Sequence, residues 1–156
     1  MTARDEPAPG CPGVGIGLRA PHIAGVIEQR PVLAFLEVHA ENYMHGGPAL
    51  GSLERLRRDY PVSLHAGGLS LGGADALDAR HLARLKRLVQ RFEPQLVSEH
   101  LAWSVADGAY FNHLLPLPYE AGSLDAMCAR VARVQDVLAR RILVENPARY
   151  LRFRHS

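Results

Sequence analysis

The stretch QLVSEH, residues 95–100, places the aliphatic pair Leu96 and Val97 directly ahead of Ser98, Glu99 and His100. A short apolar run that follows Pro94 reads as a buried strand. Its tip is unlike core filler, because it delivers a carboxylate and an imidazole. Three other apolar runs end in the same way. LAFLEVH (33–39) ends on Glu37 and His39, VSLH (62–65) on His65, and RILVEN (141–146) on Glu145 and Asn146. Each run carries to its end a group able to bind metal or move protons.

Helical periodicity fills the spaces between these runs. VGIGL (14–18) reads as a first strand, followed by a short helix over 21–29 with Ile23, Val26 and Ile27 on one face. Ser52 is placed to cap a second helix bearing Leu53, Leu56 and Tyr60, which Pro61 stops. Leu85, Leu88, Val89 and Phe92 give the i, i+3, i+4, i+7 spacing of a third helix ending at Pro94. After 95–100, WSVADGAYFNHLLPLP reads as a hairpin-like excursion around an Asp-Gly turn. Leu124, Met127, Val131, Val134 and Leu138 mark a fourth helix before the last strand. The order is β-α-β-α-β-α-β-α-β, with short strands apolar on both faces, as in parallel sheets covered by helices. An open doubly wound sheet and part of a (β/α)8 barrel both fit. A full barrel needs about 250 residues, and the chain has 156, so five strands and four helices could be only the first part of one. The glycines of GVGIGLRAP lie inside the strand and no third glycine opens a helix, so a dinucleotide fingerprint is not supported.

Composition narrows the function classes. Hydrophobic residues make up 47% and charged residues 22%, and the net charge is +2. This fits one globular domain and gives no electrostatic footprint for nucleic acid. Arginines such as Arg84, Arg87 and Arg91 read as a solvated helix face. The opening MTARDEPAPGCPG, residues 1–13, reads as a disordered tail without a signal peptide's apolar segment, and no run is long enough to span a membrane. Two cysteines, Cys11 in the tail and Cys128 on a helical apolar stripe, provide no disulfide framework and no CxxC pair. A reducing cytoplasm is the expected compartment.

The C-terminal ends of parallel strands in a βα series share one face, where sites form. Imidazoles and carboxylates gathered there, without thiolate, suit iron, manganese or zinc. His65, followed by Gly67 and Gly68, His100 and Glu145 are the candidate metal ligands. Glu37, His39, Asn42, Glu99 and Asn146 are candidates to orient them. No nucleophile elbow, Walker loop or HExxH marks a catalytic residue. Trp103, Tyr110 and Phe111 are expected to cover the mouth of the site. His22, His45, His81 and His155 read as surface or loop residues, and Cys128 as core.

Five ordered motifs, FLEVHAENYM, SLHAGGLSLG, SEHLAWS, FNHLLPLPY and ILVENPARYL, resemble the multinuclear non-heme iron-dependent oxidative enzymes, long catalogued as an uncharacterised bacterial protein family. The likeness runs from about Val14 to Ser156. It implies a TIM barrel holding two or three irons, which uses dioxygen to modify residues, usually cysteines, in ribosomally made peptides. It also implies a Cys-containing precursor peptide as substrate and a leader-recognition partner protein. By motif, the resemblance places histidine ligands on His65 and His100 and a bridging glutamate on Glu145. LHAGGLS stands where LHGVGLS is more usual. The family's later DVNN-like and IHLAGH-like segments do not occur, so residues 14–156 are expected to form the N-terminal part of a barrel cut after its fifth strand. Such a chain would hold fewer irons, be inactive alone and pair with a missing C-terminal half. Two other readings are a non-catalytic metal-binding remnant or subunit, and a xylose-isomerase-like metal-dependent isomerase or endonuclease.

Overall fold

A computed structural model describes residues 13–147 and 153–154. Most of the expected tail, with Cys11, lies outside the described residues, as do His155 and Ser156. Five strands form one sheet: β1 (Ile16–Gly17), β2 (Leu36–His39), β3 (Val62–His65), β4 (Leu96–His100) and β7 (Leu143–Glu145). Four helices alternate with them: α1 (Ile23–Gln29), α2 (Pro48–Arg57), α3 (Ala79–Phe92) and α4 (Ala121–Leu138). A separate antiparallel hairpin, β5 (Trp103–Ala106) and β6 (Ala109–Leu115), interrupts the path from β4 to α4.

All neighbouring pairs in the large sheet are parallel, and the spatial order is β1-β2-β3-β4-β7. This order separates the two architectures left open by the sequence. A doubly wound sheet reverses direction at a switch point, which puts helices on both faces. Here every βαβ connection steps to the next strand in the same direction. With right-handed crossovers, that places all the helices on one face. The result is part of a TIM-barrel-like fold.

The helices form for visible reasons. Asp78 caps α3, its Oδ1 accepting from Arg80 N at 2.7 Å and His81 N at 3.2 Å. The helix then buries Leu82, Leu85, Leu88, Val89 and Phe92 against the sheet, each side chain worth about 1.5–3 kcal/mol of apolar transfer. Arg57 Nε donates to Phe92 O at 2.7 Å, where the end of α3 leaves carbonyls unpaired. Arg140 donates to Pro94 O at 2.7 Å and Gln95 O at 2.9 Å. These two arginines hold the segment that leads into β4.

Several expectations need correction. The first strand is ladder-paired only over Ile16–Gly17, and β2 begins at Leu36 rather than Leu33. Ser52 does not cap α2. The helix starts at Pro48 after Gly47, and Ser52 Oγ donates back to Pro48 O at 3.2 Å inside it, because proline at the first helical position starts the turn earlier. Cys128 is exposed rather than core, and so is Leu124, since only Met127, Val134 and Leu138 of α4 are fully covered. The strands are not uniformly apolar on both faces: β3, at the centre, is buried along its length, while edge strand β7 is exposed. The hairpin turn does sit at Asp107–Gly108, with φ of 51° and 73°, the backbone a tight hairpin demands. Among the described residues, no helix is long and apolar enough to cross a membrane.

Candidate metal centre

The sheet register brings the site together. His39 is in register with His65, His65 with Ser98, and His100 with Glu145. Side chains alternate across a strand, so Ser98 and His100 share one face of β4 while Glu99 points to the other. On the first face, His65 Nε2 lies 3.0 Å from His100 Nε2, and Glu145 Oε2 lies 3.8 Å from each. One ligand atom from each of the three residues falls within 4.8 Å of the others.

Neighbours set the state of the trio. His65 Nδ1 stands 2.8 Å from Ser98 Oγ. When that nitrogen donates to the hydroxyl, the Nε2 lone pair is left facing His100. His100 Nδ1 is buried without a hydrogen-bond partner. Burial lowers the His100 pKa below the ordinary imidazole value, nearby His65 lowers it further, and Glu145 partly offsets both. A neutral imidazole is the form that binds a metal. The side chain of Glu145 is 57% exposed and can swing.

The donor set fits a first-row metal. Two ligands about 2.05 Å from one ion and at right angles stand about 2.9 Å apart, close to the 3.0 Å between the two imidazole nitrogens. Two histidines with one carboxylate is the set typical of non-heme iron sites with open positions.

The other candidates divide. His39 is exposed, and its ring meets His65 edge-on at 5.2 Å. Glu99 is close in sequence but not in the trio. It is 2% exposed on the opposite face, where its Oε1 accepts from Leu69 N at 2.9 Å and its Oε2 from His100 N at 2.5 Å. Burial pushes its carboxyl up to about 8 despite those two bonds. Asn146 Oδ1 accepts from Tyr119 Oη at 3.3 Å, and Asn42 lines a groove beside the trio. Glu37 sits inside β2, in register with Ser63, and no contact joins it to the trio among the described residues. That groove, of about 1400 Å³, runs from His39 and His100 to Asp75, Tyr110 and His113. Trp103 does not face it. Its ring packs edge-on against Phe111 at 5.9 Å and donates to Pro116 O.

Sequence reading missed three residues. Ser98 follows the apolar pair Leu96 and Val97, and only the pairing of β3 with β4 sets it in register with His65. Glu41, two residues beyond β2, accepts from Gly67 N at 3.1 Å, Gly68 N at 2.9 Å and His81 Nε2 at 3.2 Å. His81 is therefore no plain surface residue. Burial works to raise the Glu41 carboxyl, but the His81 and backbone bonds outweigh it and hold the group below its usual range. The glycine pair was a readable signal, because two adjacent unshielded amides need an acceptor.

Residues 13–156 match the model of a family described as RiPP precursor modification enzyme MbnB/TglH/ChrH. The chain belongs to this family. A UPF0276 protein of Bordetella pertussis is 51% identical over 159 residues, covering 100% of this chain and 55% of the relative. UPF0276 proteins of Acaryochloris marina and Vibrio parahaemolyticus are each 47% identical, covering 92% and 93% of this chain and 52% and 51% of their own lengths. The chain thus spans about half the length of the curated relatives it matches.

Proposed function

We propose that His65, His100 and Glu145 hold iron in a dioxygen-dependent enzyme that oxidatively modifies cysteine residues of ribosomally made peptides. The observation that carries this reading is the convergence of two imidazoles and one carboxylate at the tips of β3, β4 and β7. Family membership supplies the substrate class, a precursor peptide. Bound iron would supply the activation of dioxygen.

The chain's own residues do the rest. Ser98 holds the His65 ring so that Nε2 faces inward. Burial keeps His100 neutral, and Glu145 contributes the negative charge that balances a cation. The groove beside His39 and His100, of about 1400 Å³, is where the peptide would lie in this reading. In this reading residues 14–156 are the first part of the barrel domain, in the cytoplasm, and later family segments complete both the metal set and the groove. A leader-binding protein would present the peptide.

The test is aerobic incubation of the chain with the complementary later segment of a relative, ferrous iron, a reductant and a Cys-containing precursor peptide. Mass spectrometry should show a defined mass change that disappears with His100→Ala. A mass change that survives His100→Ala, or a chain that retains no iron, overturns the proposal.

A further inference from the structure

The loop that leaves β3 carries three consecutive amides, Gly67, Gly68 and Leu69, none of which pairs with a strand. Two carboxylates from neighbouring strand ends take them. Glu41, just past β2, accepts from the first two, and Glu99, on β4, accepts from the third. The loop begins two residues after His65 and passes under the His100 ring. A Cβ at Gly67 would stand 3.3 Å from His100 Cε1, and one at Gly68 would stand 2.6 Å from His81 Cε1 and 3.0 Å from Glu41 Oε1. The backbone therefore acts as a floor against which His100 rests, and its height depends on what grips the amides.

We propose that Glu41 is a positioning residue of the metal centre, which acts through the Gly67 and Gly68 amides to hold the loop where the His65–His100 pair needs it. The inference rests on the metal reading above. Among the described residues Glu41 shares no hydrogen bond or ion pair with the trio, though its charge reaches His100 and works to raise that imidazole's pKa; its grip on the loop is geometric. Two N–H donors converge on one carboxylate oxygen, Oε1, which also receives His81. Removing the side chain leaves both amides without their acceptor and frees the loop to move. A glutamine keeps an acceptor oxygen and should keep the grip. His81 shares the carboxylate and lies against Gly68 but takes no hydrogen bond from either amide, so its loss should leave the Glu41 grip in place.

The experiment measures Fe(II) affinity of the full chain, under anaerobic conditions, by competition with a chromogenic chelator. Glu41→Ala should weaken binding by about tenfold or more, the range found when groups that orient metal ligands are removed. Gly68→Ala should weaken it similarly, because its Cβ would stand 2.6 Å from His81 Cε1 and 3.0 Å from Glu41 Oε1, and the loop backbone must move to relieve both contacts. Glu41→Gln and His81→Ala should stay close to the parent. A second readout needs no metal: the Gly67 and Gly68 amide resonances and the His100 ring resonances of the metal-free protein. They should move together in Glu41→Ala and Gly68→Ala, with melting temperature monitored for each variant. Parental affinity in both of those variants overturns the inference, as does His81→Ala weakening binding as much as Glu41→Ala. If the parent binds no Fe(II), the metal reading falls. The metal-free resonances then still decide the clamp, which fails if the His100 signals are unmoved by Glu41→Ala and Gly68→Ala.

Discussion

His65 and His100 face each other with Nε2 atoms 3.0 Å apart and ring planes at 90°. Two lone pairs at that distance repel unless a proton or a cation lies between them. Replacing either histidine by alanine should lower Fe(II) affinity by more than about 100-fold, beyond the loss typical of groups that only orient ligands. Glu145→Ala should cost less, because that side chain is exposed and water can take its place. Iron retained after gel filtration checks this. Three variants holding as much iron as the parent would show that the ligands lie elsewhere.

Burial first, and the His65 neighbour second, hold His100 below the ordinary imidazole value, with Glu145 pulling the other way. In the metal-free protein its ring should therefore titrate below about 6.5, the unperturbed value. Glu145→Gln should move the midpoint lower still. Because the unfolded chain takes up this proton first, the His100 contribution to stability declines as pH falls below the unfolded value. Histidine NMR titration reads both effects, and a midpoint that rises in Glu145→Gln contradicts the assignment.

Glu99 works in the opposite direction. Its carboxyl is pushed up to about 8 by burial, from a reference of 4.5. In the folded protein it keeps its proton where the unfolded chain has lost it. Its contribution is complete below pH 4.5 and is lost as pH rises toward 8. The stability of Glu99→Gln relative to the parent should therefore grow across that window, by up to about 5 kcal/mol. Urea unfolding of the metal-free chain at several pH values tests this. A difference independent of pH would mean that Glu99 is ionised in the fold.

Strand β7 pairs only with β4 among the described residues, and it leaves Leu143 51% and Val144 42% exposed. An edge strand with unpaired backbone groups and exposed apolar side chains recruits other strands. The 156-residue chain should self-associate with rising concentration, and Leu143→Lys should reduce this without loss of helical signal. Analytical ultracentrifugation decides it, and a single monomeric species across the micromolar range would refute the expectation.

Activity should need more than these residues. The chain covers 55% of its Bordetella pertussis relative, and three ligands can hold one iron. Alone, the iron-loaded chain should leave a Cys-containing peptide unchanged in mass. Adding the later segment of a relative in trans should restore modification. A His100-dependent mass change produced by residues 1–156 alone would show that they form a complete enzyme.

The sequence alone established the alternation of strands and helices, the Asp-Gly hairpin, and the gathering of His65, His100 and Glu145 at strand ends. These rest on local chemistry: apolar periodicity, turn residues, and the rule that parallel strands end on one face. The spatial order of the strands was not local. A doubly wound sheet and a partial barrel share the same βα pattern and differ only in which neighbour each strand chooses. The roles of adjacent residues were not local either. Glu99 and His100 looked like one pair, but the pleat sends them to opposite faces, one toward the Leu69 amide and one toward the trio. Glu41 stayed hidden because its partners, Gly67 and Gly68, lie 26 and 27 residues away in sequence, and only the packing of β2 against β3 brings that carboxylate to those amides.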